Sequence, residues 1–246
     1  MRDDDAPLDC YVFARRQEWE GFTTKLAPSD APTYFRINRG GYTIGDRVAV
    51  FSSGQSATCR SMAHEGWHQY AARHCVDRLP PFLEEGIACF FENVRFDERG
   101  QPVWNMTENP NRSRALRMSV EAEQLFPLET LITLHAGEVV GMSSNHVEAF
   151  YAQSWAFARF LWDGDNGRYR PAMKLLLVDA VAGELIESAV TTSTAAARPG
   201  NLWDSRSAAP LLERYLAIDF AEIDRSYQRF VAQLIDRDAR RWAWDE

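Results

Sequence analysis

The chain is short of the residues that mark several other classes of protein. It has four cysteines (Cys10, Cys59, Cys75, Cys89) and no C-x-x-C spacing, which excludes a zinc ribbon or a thioredoxin-type pair; an even set can form two bridges or stand as buried free thiols. It has no basic excess: 27 Lys and Arg against 35 Asp and Glu leave a net charge of −8, which argues against nucleic acid or an anionic membrane surface as partner. Its longest apolar runs, such as Ala156-Phe157-Ala158 and Leu175-Leu176-Leu177-Val178, fall far short of the roughly 20 residues of a membrane span. Neither internal repeat nor long low-complexity linker is present. The first residues, Met1-Arg2-Asp3-Asp4-Asp5-Ala6-Pro7, contain no apolar core of a signal peptide. The chain is therefore either cytoplasmic or the mature part of an exported protein, and the trimmed look of this start favours export.

What remains is an ordinary globular composition, 46% hydrophobic and 25% charged, in 246 residues. Cys10 to Phe13 reads as a strand, followed by a helix from Arg16 to Leu26 with Trp19, Phe22 and Leu26 at helical spacing. Tyr34 to Ile37 alternates as a strand, Asn38 to Gly41 reads as a turn, and Tyr42 to Ile44 returns as a second strand. Arg47 to Phe51 is the clearest buried strand. Ser56 to Cys75 lacks proline and predicts one long helix. Pro80-Pro81 opens another, from Phe82 to Asn93, and Val94 to Trp104 fits a hairpin turning at Asp97-Glu98-Arg99-Gly100.

Beyond Asn105 the pattern is helical: Arg112 to Met118, Leu128 to Leu134, Val147 to Trp162, Tyr169 to Glu187, Ala208 to Leu216 and Phe220 to Ala239. Thr191 to Gly200 is a small-residue loop, and the Trp-rich end, Arg240 to Trp244, reads as packing or a frayed terminus. The expected class is α+β. A small mixed sheet with helices occupies 1–106 and a helical part follows over 107–246; the long helix stands at their junction, and the two parts are expected to form one catalytic unit.

That helix carries His64-Glu65-Gly66-Trp67-His68, an H-E-x-x-H pattern. Residues four apart share a helix face, so His64 and His68 can each direct a ring nitrogen at one zinc ion. Glu65 is aimed too poorly to be a ligand but can reach a water on the metal, take its proton and pass it to a leaving amine. Two residues compete to be the third ligand. His74 has the spacing of H-E-x-x-H-x-x-G-x-x-H, but Ala71 stands where that pattern needs glycine, and on a continuing helix His74 points away. Glu85 follows His68 by seventeen positions, at the start of the next helix, where Gly86 permits close packing. Glu85 is the expected ligand. Its neighbour Glu84 reads as exposed or as a support to a ligand imidazole. Cys59, Cys75 and Cys89 are expected as small buried apolar groups rather than extra ligands.

Together, His64-Glu65-Gly66-Trp67-His68-Gln69 and Phe82-Leu83-Glu84-Glu85-Gly86-Ile87-Ala88 resemble the gluzincin metallopeptidases. More narrowly, with Tyr151-Ala152-Gln153-Ser154-Trp155, they are similar to the bacterial peptidase MA-like families of unknown function. The resemblance implies a zincin-like fold, one zinc held by His64, His68 and Glu85, Glu65 as general base, and a peptide or protein substrate bound in extended form along a strand edge, here Tyr42 to Ile44. It also implies an oxyanion donor from a later helix, for which Tyr151 is the candidate with His146 behind it; alternatively Tyr151, Trp155 and Phe157 simply line a core. Three departures matter. Glu84 stands where aminopeptidases have Asn. Cys89 stands where thermolysin-like enzymes have an Asp supporting a ligand histidine, so that support must come from elsewhere. No G-x-M-E-N segment occurs, so recognition of a free N-terminus is not supported.

The expected activity is zinc-dependent peptide hydrolysis. The alternatives are a catalytically silent binding module on the same fold and a zinc hydrolase of a non-peptide amide.

Overall fold

The computed structural model describes residues 7–106, 108–185 and 208–242, the last five of these by backbone alone. Its architecture is mixed α+β, dominated by helix, with one small three-stranded sheet and one two-stranded hairpin among the described residues. The chain sorts into two units, neither continuous in sequence. The first comprises the residues up to His74, Ile87–Asn109 and Gly137–Ser143; the second comprises Cys75–Gly86, Pro110–Ala136 and the residues from Ser144 on.

In the first unit, β1 (Asp9–Phe13) lies parallel to β3 (Arg47–Phe51), and β2 (Gly41–Ile44) lies antiparallel to β3 on its other side. The order β1-β3-β2 makes β2 an edge strand, as expected. Helix α1 (Arg16–Leu26) presses Trp19 onto the sheet in a buried cluster with Tyr42, Ala49 and Phe51. Trp19 Nε1 donates to the Ala49 carbonyl at 3.0 Å, and Tyr42 Oη donates to Thr23 Oγ1 at 2.9 Å, so the polar atoms of this core are partnered.

One expected strand is absent. Tyr34 to Ile37 does not extend: Ala31–Tyr34 forms a short helix, α2, with Pro32 in its first turn, and a turn follows. Proline's fixed φ suits a helix start, and four alternating residues are too few to outweigh it. The apolar side chains still pack inward, and the Arg16 guanidinium donates to the Phe35 and Ile37 carbonyls.

The motif helix α3 (Gln55–His74) packs on β2 and β3. Gln69 ties it to the sheet by donating from one amide nitrogen to the Asp9 and Asp46 carbonyls. Helix α4 (Pro81–Phe91) begins at the expected proline and is one uninterrupted helix, although its residues divide between the two units after Gly86. The hairpin β4 (Val94–Phe96) and β5 (Pro102–Trp104) follows it.

In the second unit the helices are α5 (Pro110–Glu121), α6 (Leu128–Leu131), α8 (Ser144–Asp163), α9 (Arg170–Ala182), α10 (Ala208–Leu216) and α11 (Phe220–Trp242); a short α7 (Ala136–Val139) was not expected from the sequence and spans the boundary at Ala136. Helix α8 is buried on nearly every side, with Phe150, Trp155, Phe157 and Phe160 in the core, which is the signature of a central rather than a surface helix. Helix α9 ends at Ala182, because Gly183 takes a left-handed φ of 81° and closes it; Glu187, its expected end, lies outside the described residues. The Thr191–Gly200 loop and the Trp244 end lie outside the described residues.

Candidate metal centre

Helix α3 runs unbroken through both histidines, and the one-turn spacing brings His64 Nε2 to 3.2 Å from His68 Nε2. Two ring nitrogens that close cannot both carry hydrogen toward each other. His64 Nδ1 lies 3.0 Å from Glu92 Oε1 and donates to it, which leaves the His64 Nε2 lone pair turned toward His68. His64, His68 and Glu85 each offer one donor atom, all within 4.8 Å of one another, and His64 and Glu85 are buried. The three residues expected as metal ligands are thus brought together, and such a set can hold a metal ion.

Glu65 is buried beside His64 and does not belong to the donor set. Thr43 of β2 donates its hydroxyl hydrogen to Glu65 Oε2 at 2.8 Å, with the Glu65 main-chain carbonyl 3.1 Å away. The carboxylate is thereby fixed by the edge strand itself. Successive residues of a strand face opposite ways, so Tyr42 enters the core while Thr43 meets α3.

The competing residues fall elsewhere. His74 closes the last turn of α3 with its ring 4.3 Å from that of Tyr70, and it joins no donor group among the described residues. Burial, and then the Glu84 and Asp77 carboxylates, push the Cys75 thiol up, away from the thiolate a metal requires. No disulfide joins any of the four cysteines.

Cys89 is the exception to its expected detachment. It is fully buried, and its sulfur lies within 4.8 Å of donor atoms of His64 and Glu92. Glu92 is the residue that reasoning from sequence missed: it supplies the support to His64 that no Asp stands ready to give. The signal was present, since Glu85, Cys89 and Glu92 recur at i, i+4 and i+7 on one helical face.

Tyr151 sits on α8, half-buried, with the Arg112 guanidinium 5.0 Å from its ring centroid and the Phe150 ring 5.4 Å away. The His146 ring lies 5.6 Å from that of Phe126. The rest of the Tyr151–Trp155 segment is buried. Gln153 clamps the Phe126 backbone, accepting from its N–H and donating to its carbonyl at 2.8 Å each. Gly86 packs so tightly that a Cβ there would stand 2.2 Å from the Ser154 carbonyl oxygen.

The chain matches no protein-family model, no curated protein and no solved structure.

Proposed function

We propose that this chain is a zinc-dependent peptidase of gluzincin type, with His64, His68 and Glu85 as ligands and Glu65 as general base. The observation that carries the reading is the convergence of the three donors beside a carboxylate that is held but not itself in the set. The donors fit the metal: nitrogens 3.2 Å apart can both reach a common point at the ~2.0–2.1 Å of an imidazole–zinc bond, subtending about 100° there, close to tetrahedral. Two neutral imidazoles and one carboxylate are also the donor set of known catalytic zinc sites that keep a fourth position for water or substrate.

When bound, zinc supplies Lewis acidity to a peptide carbonyl and makes water a stronger acid. Glu65 accepts the proton of the attacking water and returns it to the departing nitrogen. Thr43 holds the Glu65 carboxylate by its Oε2 atom, leaving Oε1 to meet that water. The β2 edge offers main-chain groups to an extended substrate, and because Thr43 belongs to β2, a peptide paired there runs beside the base. Tyr151 is assigned to the developing oxyanion, with His146 as the reserve.

Elemental analysis is expected to give about one zinc per chain, lost in His64→Ala. Cleavage of a broad peptide library is expected to fall by about 10²–10⁴-fold in Glu65→Gln while zinc stays bound. Zinc without peptide cleavage replaces this reading with a metal-holding binding module, and cleavage confined to small amides replaces it with a non-peptide amidase.

A further inference from the structure

Glu92 is an unfavourable residue for its place. It lies immediately beyond the last residue of α4, where the helix dipole repels negative charge, and it is only 6% exposed. A buried carboxylate at that end persists only with strong partners, and two are present. His64 Nδ1 donates to one oxygen at 3.0 Å, and Asn109 Nδ2 donates to the other at 2.8 Å. The same Asn109 nitrogen also donates to the Cys89 carbonyl at 2.9 Å, one of the last carbonyls of α4, which a helix leaves without a partner in its own ladder. Asn109 is 3% exposed, and it follows the β4–β5 hairpin, so the chain leaves α4, makes the hairpin, and comes back to lock the residue it has just passed.

We propose that Glu92, held by Asn109, is the positioning residue that sets His64 in the tautomer and ring orientation a metal requires. The inference rests on His64, His68 and Glu85 being the metal ligands. The alternative use of these atoms, a separate metal site on His64, Cys89 and Glu92, fits less well. A proton on His64 Nδ1 and the amide of Asn109 already occupy both Glu92 oxygens, and Cys89 offers a fully buried thiol. A carboxylate behind a ligand imidazole raises its basicity and fixes its direction, an effect of about 10–100-fold on metal affinity.

The test is zinc affinity of the full chain, measured by competition with a chromophoric chelator, beside the ¹⁵N imidazole spectrum of His64 in the metal-free protein. Glu92→Gln is expected to weaken zinc by about 10–100-fold and to replace a single Nδ1–H form of His64 with a mixture. Asn109→Ala is expected to move both readouts the same way, which covers the case in which one variant fails to fold. Cys89→Ser is expected to leave zinc affinity unchanged. Affinity within twofold of the parent in Glu92→Gln, with His64 still in one form, overturns the proposal. So does a second bound ion that Cys89→Ser removes, which would make the trio a metal site in its own right. Zinc affinity within twofold of the parent in Glu92→Gln, with zinc lost in His68→Ala, sinks the positioning role alone; a parent that binds no zinc sinks the ligand reading with it.

Discussion

Thr43 has one hydroxyl hydrogen, and it goes to the Glu65 carboxylate rather than to solvent. Replacing it with valine keeps the β-branched shape the strand favours and removes only the donor. A hydrogen bond to a charged group contributes about 1.5–3 kcal/mol, and part of that falls on the alignment of the base. Thr43→Val is therefore expected to lower kcat by about tenfold or more with zinc content unchanged, and Thr43→Ser to restore most of it. Steady-state kinetics with metal analysis on the same samples checks both. At this scale the pairing of His64 with His68 is legible from the sequence, because helical spacing alone places positions four apart on one face. Thr43 is not: its partner is 22 residues away, and nothing in Gly41-Tyr42-Thr43-Ile44 distinguishes a threonine that holds a buried carboxylate from one that merely suits a strand. Glu92 is hidden for the same reason, 28 residues from the imidazole it supports.

Among the elements, α4 packs at Gly86 with no room for a side chain. A methyl group at Gly86 would stand 2.2 Å from Ser154 O and 2.8 Å from Ser154 C, both backbone atoms, so no side-chain rotation relieves it. Gly86→Ala is expected to destabilise the protein by about 1–3 kcal/mol through overpacking, even though alanine is the better helix former. It is also expected to weaken zinc binding, since Glu85 is the adjacent residue. Denaturant unfolding and the chelator competition measure the two effects separately. The long helices are legible because their apolar spacing persists over many turns and prolines or glycines punctuate them. Tyr34 to Ile37 is misread because both a strand and a turn against a core accept the same four side chains, and the decision lies with Pro32 and with Arg16, which binds the carbonyls from another element.

At the scale of the whole molecule, zinc that binds only the folded chain adds stability by mass action. Free zinc at a hundred times its dissociation constant contributes about 2.7 kcal/mol, which for a chain of this size raises the melting temperature by roughly 5–11 °C. Calorimetry with and without a chelator is expected to show that increment in the parent and in Glu65→Gln, and to show none in His64→Ala. The α+β class and the mixed character of the sheet are legible from the order of strand and helix patterns. The discontinuous make-up of the two units is not, because it depends on which distant segments come together rather than on any local preference.

The amide of Gln69 faces carbonyls at the head of β1 and in the β2–β3 turn. Along a strand these groups alternate with N–H, so sliding β1 by a single residue would set donor against donor. The sixth residue of the motif thus acts as a proofreader of strand alignment: a misthreaded sheet is penalised at the same helix that carries His64 and His68, and correct assembly of one becomes a condition for the other.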